Sequence, residues 1–329
     1  MTLRVAVVGA GVAGLGVLNY LVRNSSVEAT LFDPKGIGRG ASGVSTGLLH
    51  PFPAKDSLRS WRADEGMDAS CRLLQEAEDA LGQPVCAKNG LLKLAVSAEQ
   101  RKDFLTRAQN DSDAVWVEDA STRVAEAAPV PALWIPKGIT VYSSRYLEGL
   151  WKAAEKRGAL RKQVAVRSLA ELDEYDAIIL ATGAETLHFP ECSHLPLKIT
   201  KGQTLICRWP EALPPLPCGL LSQGHITATP DASICQLGST YERQFTSLAP
   251  DPHTALPLLE KAALFYPPAQ NFEVLDIRSG ARISPRNGYR PIVEKVSDKA
   301  WVFTGLGSRG LLYHALLGKE LAEKIRENL

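Results

Sequence analysis

Three glycines and an aspartate near the start of the chain have the spacing of a phosphate-binding turn. They are Gly9, Gly11, Gly14 and Asp33. The glycines follow an apolar run at residues 3–8, and the acid follows a second run at 27–32. Such glycines permit a tight turn, close approach to a pyrophosphate and close packing of helix on strand. The order predicts a dinucleotide-binding β–α–β unit in which Asp33 accepts hydrogen bonds from ribose hydroxyls. The alternative for Asp33 is a turn-forming residue before Pro34.

A second segment rich in glycine and small hydroxyl residues follows this aspartate. It extends from Gly36 to Gly47. Backbone N–H groups and serine donors in such a segment can surround a second pyrophosphate-facing surface. A domain that binds only NAD needs no such segment, so the sequence favours FAD.

These features resemble the D-amino-acid oxidase superfamily of FAD enzymes, in particular glycine oxidase-like and sarcosine oxidase-like members. The oxidase domain of a bifunctional tRNA-modifying enzyme is similar as well. Further matching segments follow in the family's order: Ala181-Thr-Gly183, Lys201-Gly-Gln203, Leu237–Glu242, Gly280-Ala-Arg282 and Thr304–Leu311. Two departures concern the substrate. Ile283 replaces the proline that often follows the family's arginine, and the family's carboxylate-binding tyrosine has only His225 and Tyr241 as nearby candidates.

The resemblance implies a non-covalently bound FAD and a set of residues that hold it. The set comprises Gly9, Gly11, Gly14, Asp33, Arg39, Ala41, Ser42, Gly47, Thr182, Gly183, Gly305, Gly307, Ser308, Arg309, Gly310 and Leu311. In the last loop, backbone N–H groups and a helix N-terminus would face the negative charge of the reduced flavin.

Three residues are candidates for catalysis. Arg282 would hold a substrate carboxylate in a bidentate fork, and its alternative is a surface or inter-strand arginine. Arg309 would add positive charge near the reduced flavin, and its alternative is a helix-capping arginine. His50 would lie on the substrate side of the flavin, and its alternative is a packed histidine. The resemblance implies hydride transfer from the substrate Cα to flavin N5, which leaves an imine that water hydrolyses.

The expected fold is α/β, with a Rossmann-like FAD-binding domain interleaved with a mostly antiparallel substrate domain of α+β type. The FAD-binding domain is assigned to residues 1–82, 142–196 and 278–329. The substrate domain is assigned to residues 83–141 and 197–277.

Local patterns predict the elements that position the candidate residues. Apolar spacing predicts helices over 61–81 and 311–325 and a strand over 91–96. A helix through residue 157 is predicted to have Ser143 or Ser144 as its N-cap.

Composition disfavours several function classes for this chain of 329 residues. The 37 Lys and Arg residues balance 36 Asp and Glu residues, and the net charge of +1 provides no overall field to attract nucleic acid or an anionic membrane. The six scattered cysteines favour a reducing, cytoplasm-type compartment, or an organelle if the chain is a mature form. The sequence predicts no metal site, because the histidines lack metal-ligand spacing. It predicts no membrane span, because no apolar run approaches ~20 residues.

Three functions follow from these observations. The first is FAD-dependent oxidation of a small amine or amino acid, with O2 as a compatible electron acceptor. The second is oxidation of a wobble uridine substituent in tRNA, which the near-neutral charge disfavours. The third is a flavin-binding assembly protein whose substrate site has degenerated.

Overall fold

The structure is a computed structural model that describes residues 2–327. In chain order its strands are β1 (Leu3–Val8), β2 (Val27–Phe32), β3 (Leu48–Leu49), β4 (Cys86–Ala87), β5 (Leu91–Leu94), β6 (Val115–Val117), β7 (Ala132–Ile135), β8 (Ile139–Val141), β9 (Leu160–Lys162), β10 (Ala177–Leu180), β11 (Leu197–Arg208), β12 (Gly219–Leu221), β13 (His225–Ala228), β14 (Ile234–Gly238), β15 (Val274–Pro285), β16 (Ile292–Lys295) and β17 (Ala300–Thr304). Its α-helices are α1 (Val12–Leu21), α2 (Ala41–Val44), α3 (Ala63–Leu81), α4 (Ala98–Asn110), α5 (Ser143–Lys156), α6 (Pro252–Ala255), α7 (Leu258–Ala263) and α8 (Gly310–Glu327).

The first sheet has six strands in the order β16-β17-β10-β1-β2-β9. All neighbouring strands are parallel except β16, which runs antiparallel to β17. The chain continues from β1 to β2 on one side, whereas β10 pairs with β1 on the other. The carboxyl end of β1 is therefore the place where strand order reverses, and open α/β sheets bind ligands outside such a point.

The second sheet has eight strands in the order β15-β11-β14-β13-β12-β5-β7-β6. Its neighbours are antiparallel except for the parallel pair β12 and β5. A small third sheet joins β3, β8 and β4. The long antiparallel pairing of β11 with β15 brings Arg282 opposite Thr200.

Close helix packing covers one face of the first sheet. Helices α1, α3, α5 and α8 share one apolar core with β1 and β2. A Cβ at Gly318 of α8 would lie 2.9 Å from the backbone nitrogen of Val17, and one at Gly16 would lie 2.8 Å from the carbonyl oxygen of His314. Helices α1 and α8 therefore meet backbone to backbone.

The predicted fold class is confirmed by this mixed architecture and by its structural relatives described below. Helix α5 begins at Ser143, and its N-cap is Tyr142. Helix α3 begins two residues later than predicted, because Arg62 takes a left-handed φ of 48°. The domain boundaries stay predictions, and the segment 274–285 pairs within the second sheet.

Within residues 2–327, no helix combines the length and the apolar character that crossing a bilayer requires.

Candidate active site

The turn between β1 and α1 has the geometry that its glycines predict. Gly9 has a φ of +112°, and a Cβ there would lie 2.3 Å from the carbonyl oxygen of Ala181. A Cβ at Gly14 would lie 1.9 Å from the carbonyl oxygen of Gly9. Both positions therefore require glycine. The N-terminus of α1, with its positive dipole end, opens at the carboxyl end of β1.

The segment 41–47 packs directly on this turn. The Ser42 hydroxyl accepts a hydrogen bond of 3.1 Å from the Val12 N–H, and a Cβ at Gly11 would lie 3.0 Å from the same oxygen. Ala41 lies against Gly280, where an added Cβ would be 2.8 Å from its Cα. The structure thus brings Gly11, Ala41 and Ser42 together, although 30 residues separate Val12 from Ser42.

Asp33 lies at the end of β2 and organises the backbone around it. Its carboxylate accepts hydrogen bonds from the N–H groups of Ala10 (2.9 Å), Lys35 (2.8 Å) and Gly36 (2.9 Å). The turn-forming role is therefore present in the structure. The ribose contact stays a prediction, and the carboxylate lies beside the phosphate-binding turn that this contact requires.

The other predicted cofactor residues occupy neighbouring loops. The Thr182 hydroxyl lies 3.1 Å from that of Thr186, which lies 3.3 Å from that of Thr304 at the end of β17. Gly47, Gly183, Gly305 and Gly307 all have positive φ. Arg39 and Ser308 are exposed. Gly310 begins α8, and the carbonyl of Leu311 accepts a 2.6 Å hydrogen bond from Ser70.

Arg282 lies on β15, opposite Thr200 of β11 in the second sheet. Its guanidinium lies over Gly202, donates a 2.9 Å hydrogen bond to the carbonyl of Thr240, and stands 5.8 Å from the ring centroid of Tyr241. Burial lowers its pKa, whereas Tyr241 raises it. Within residues 2–327 it forms no ion pair with a carboxylate. A partly buried guanidinium without an acidic partner is suited to bind an anionic ligand.

His50 is buried and neutral. Its side chain is 4% exposed, and its Nδ1 has no hydrogen-bond partner among the described residues. Burial lowers its pKa well below the ordinary value, and Lys93, His225 and Arg309 lower it further. Because a buried polar atom without a partner is costly, this nitrogen is positioned for a bound group.

His225 lies on β13 beside the same group of cations. Its Nδ1 is 3.4 Å from the Thr46 hydroxyl. Burial, Arg282 and Lys93 lower its pKa to about 4. His225 is therefore neutral at ordinary pH. Tyr241, the other candidate for the position of the family's tyrosine, is 58% exposed. A hydrogen bond with Thr200 is the main cause that lowers its pKa.

Lys93 is a functional candidate that the sequence analysis missed. It lies on β5 with only 5% of its surface exposed, in the otherwise apolar run Leu91–Leu94. Burial lowers its pKa to about 7, although Asp56 and Asp103 raise it. The sequence feature that could have revealed it is a single lysine inside an otherwise apolar strand. We call His50, Lys93, His225, Arg282 and Arg309 the inner cluster.

Arg309, a member of the inner cluster, also lines a surface pocket. It is 8% exposed, its Nε donates to the Ser60 hydroxyl at 3.3 Å, and its guanidinium stacks on Tyr289 at 4.0 Å. Burial lowers its pKa, whereas Tyr313, Tyr289 and Asp56 raise it. The Arg309 pocket, of about 470 Å³, is lined in part by Asp56, Ser60, Trp61, Tyr289, Arg290 and Arg309.

Metal ligands are not grouped in the described part of the chain. No group of three or more His, Cys, Asp or Glu residues there could hold a metal ion. All six cysteines are free, and five of them are buried. Burial raises the thiol pKa of each buried cysteine, so these side chains are unreactive packing residues.

The residues present fit a dinucleotide carrying a redox ring. A glycine turn, a helix N-terminus and an acid meet at the switch point of the first sheet. The inner cluster lies between the second sheet and the loop before α8, and it holds the unpartnered His50 nitrogen. This set suits a cofactor that is anionic at its phosphates and at its reduced ring.

Comparison with known structures shows the same fold. Glycine oxidase from Geobacillus kaustophilus matches with a TM-score of 0.85 and 21% identity, covering 98% of this chain and 95% of that chain. Iminodiacetate oxidase from Chelativorans sp. BNC1 matches with a TM-score of 0.81 and 20% identity, covering 98% and 95% respectively.

Curated relatives share somewhat higher sequence identity with this chain. The tRNA 5-methylaminomethyl-2-thiouridine biosynthesis bifunctional protein of Methylobacillus flagellatus is 27% identical over 72% of this chain and 39% of its own length. The protein of the same name from Delftia acidovorans is 26% identical over 98% of this chain and 58% of its own length. The chain thus spans about two-fifths to three-fifths of the curated relatives it matches.

The family comparison covers nearly the whole chain and confirms the resemblance stated from the motifs. The family described as DAO, FAD dependent oxidoreductase, matches residues 4–324. The glycine turn, the switch point and the inner cluster belong to that matched region. This chain is therefore a member of the DAO family of FAD-dependent oxidoreductases.

Proposed function

We propose that this protein oxidises a small amine or amino acid at a carbon bonded to nitrogen. The observation that carries the proposal is Arg282, a partly buried guanidinium that has no carboxylate partner in residues 2–327 and lies in a cluster with two neutral histidines. FAD, when bound, accepts the two electrons and supplies the redox chemistry. A substrate carboxylate fits the guanidinium in a bidentate fork, which fixes the neighbouring carbon in one orientation.

The protein side chains around the substrate would act by binding and orientation. Arg282 would bind the carboxylate, and the neutral His50 ring would exchange hydrogen bonds with the substrate amine through Nδ1. The neutral substrate amine loses a hydride from carbon and becomes an iminium ion, and water then converts this ion into a carbonyl compound, a free amine and a proton. Lys93 and Arg309 would add positive potential that favours anionic species at this place.

Anaerobic reduction of the purified holoprotein tests this proposal. A panel should include glycine, sarcosine, iminodiacetate and several D-amino acids. We expect at least one carboxylate-bearing amine to remove the absorbance of the oxidised flavin. Return of the absorbance with release of hydrogen peroxide on adding O2 would assign an oxidase. No reduction by any amine in the panel would overturn the proposal.

A second candidate function is oxidation of a carboxymethylated amine on a wobble uridine of tRNA. It is favoured by the curated relatives named as tRNA 5-methylaminomethyl-2-thiouridine biosynthesis proteins, which match up to 98% of this chain. Nucleoside analysis of tRNA from a deletion strain tests it, because accumulation of the unprocessed nucleoside is expected. Unchanged wobble nucleosides would reject it.

A flavin-binding assembly role is the remaining alternative. It predicts stoichiometric FAD, no turnover with amines or tRNA, and a stable protein partner in a pull-down. We also propose a cytoplasm-type compartment, which the free, buried cysteines support.

A further inference from the structure

The ammonium of Lys93 is enclosed by one short segment of the chain. Its Nζ donates to the carbonyl of Ala54 at 2.5 Å, to the hydroxyl of Ser57 at 2.8 Å and to the carbonyl of Phe52 at 3.4 Å. The ammonium also lies 5.2 Å from the ring centroid of Phe104 on α4. An ammonium has three N–H donors, so this segment supplies an acceptor for each one.

The same segment is braced from its other side. Arg107 of α4 donates from Nε to the carbonyl of Ser57 at 2.8 Å, and Ser57 is fully buried with a left-handed φ of 54°. A non-glycine residue in this conformation persists only where its surroundings hold it. Two cations from different elements, Lys93 of β5 and Arg107 of α4, therefore fix segment 52–57.

Segment 52–57 connects the two parts of the candidate site. Its first residue, Phe52, lies two positions after His50, and its C-terminal end leads into the wall of the Arg309 pocket at Asp56 and Ser60. The charged and titratable groups that face His50 are Lys93 from β5, His225 from β13 and Arg309 from the loop before α8. Those that face Lys93 with opposite charge are Asp56 and Asp103.

We propose that Lys93 is a positioning residue for amine oxidation: its ammonium fixes segment 52–57 and thereby holds His50 and the wall of the Arg309 pocket in place. This inference rests on the proposed function, in which His50 contacts the substrate amine. The brace has two separable effects. Its hydrogen bonds set the position of the segment, and the charge of its protonated form adds to burial in lowering the pKa of the neighbouring His50 ring.

Three variants separate these effects in the FAD-loaded protein. Lys93→Met removes both the hydrogen bonds and the charge. Ser57→Ala and Arg107→Met each remove one contact to the segment and leave the Lys93 charge in place. Lys102→Met, an exposed lysine on α4, is the matched control for the same chemical change.

The measurements are kcat and KM with the best amine across the pH range, the flavin absorbance spectrum, and NMR titration of the His50 ring assigned with His50→Gln. Misplacement of a substrate-facing segment by about 1 Å costs up to roughly 100-fold, so Lys93→Met is expected to lower kcat/KM by roughly 10- to 100-fold. Ser57→Ala and Arg107→Met are expected to lower it several-fold, and Lys102→Met to leave it unchanged. Only Lys93→Met is expected to raise the pKa of His50.

Each outcome decides the inference. Wild-type kcat/KM in Lys93→Met would overturn it, whatever the result for Ser57→Ala. If Lys93→Met fails to fold or to retain FAD, wild-type kinetics in both Ser57→Ala and Arg107→Met would overturn it. If the wild-type protein oxidises no amine, the proposed function fails separately, and the His50 titration then decides: an unchanged pKa in Lys93→Met would overturn the placement of Lys93.

Discussion

Two arginines at this site are distinguished by the absence of a carboxylate partner in the described range. Arg282 and Arg309 are guanidinium groups with reduced exposure, and neither forms an ion pair with a carboxylate in the described range. Other arginines show the usual pattern, as Arg59 does with Asp64, Asp111 and Asp113. The contrast indicates that the unpaired arginines serve a ligand, because an unpaired buried charge costs stability.

Replacing Arg282 with glutamine is expected to lower kcat/KM for carboxylate-bearing amines by about 10- to 100-fold. Hydrogen bonds to a charged group contribute about 1.5–3 kcal/mol, and the substitution removes that interaction. Steady-state kinetics with a carboxylate-bearing amine and with a matched amine lacking the carboxylate measures the effect, which should be confined to the first. Arg278→Gln on the same strand is the control, because Arg278 pairs with Asp276 at 3.0 Å. Equal kinetics in Arg282→Gln and wild type would remove Arg282 from the site.

Some of these residues can be predicted from the sequence and others cannot. The spacing of Gly9, Gly11 and Gly14 predicts their roles because each role depends on neighbours close in the chain. Lys93 escaped prediction, because its partners at 52–57 are about 40 residues away and only the folded sheet brings them together. For the same reason, the sequence could not give the Thr240 carbonyl as the partner of Arg282.

At the scale of elements, the site depends on contacts between backbones. The β1–α1 turn, helix α2 and strand β15 meet at glycines, where an added Cβ would lie 3.0 Å or less from its neighbour. Elements with strong local signals, such as α5 and α8, are predicted within about two residues. Short strands such as β3 and β4 carry too little pattern for sequence alone, since two residues show no periodicity.

Gly14→Ala is expected to weaken FAD binding and to destabilise the fold. A methyl group there would lie 1.9 Å from the carbonyl of Gly9, so helix α1 must move away from the turn that binds the phosphates. FAD titration followed by flavin fluorescence gives the affinity, and urea unfolding gives the free energy of unfolding. Gly40→Ala is the matched control, because a Cβ at Gly40 meets no atom within 4 Å. Equal FAD affinity in the two variants would contradict this geometry.

His314 of α8 makes the helix packing sensitive to acid. Its Nε2 lies 2.6 Å from the Tyr146 hydroxyl, its Nδ1 faces the carbonyls of Gly310 and Leu311, and burial lowers its pKa to about 4. Since the unfolded value is about 6.5, the unfolded state binds a proton first as the pH falls. The stabilising contribution is thus complete above about pH 6.5 and is lost as the pH falls toward 4.

His314→Gln is therefore expected to flatten the loss of stability in acid. One fewer proton taken up on unfolding reduces the slope by about 1.4 kcal/mol per pH unit between pH 4 and 6.5. Urea unfolding at several pH values measures this slope, and His188→Gln, an exposed histidine, provides the reference. Identical slopes in the wild type and His314→Gln would show that His314 is protonated in the fold.

For the whole molecule, FAD binding should couple the two large sheets. The cofactor residues come from segments near 9–14, 41–47, 181–183 and 305–311, whereas the inner cluster includes side chains from β5, β13 and β15 of the second sheet. A ligand that contacts both sheets stabilises the folded state by mass action.

FAD is expected to raise the Tm of the apoprotein by roughly 5 °C at about 100 times its Kd. Differential scanning calorimetry of the apoprotein across an FAD series measures this shift. Gly14→Ala should show a smaller shift at the same FAD concentrations. A Tm that stays constant across the series would contradict cofactor binding at this site.

The backbone contact between Gly16 of α1 and Gly318 of α8 has a consequence for synthesis of the chain. Helix α1 leaves the ribosome roughly 300 residues before its packing partner. At ~5–20 residues per second this delay is on the order of 15–60 s. The packing of α1 against α8 therefore forms only after that delay, whereas the contacts of the turn with Asp33, Ser42 and Ala181 involve residues that are synthesised sooner.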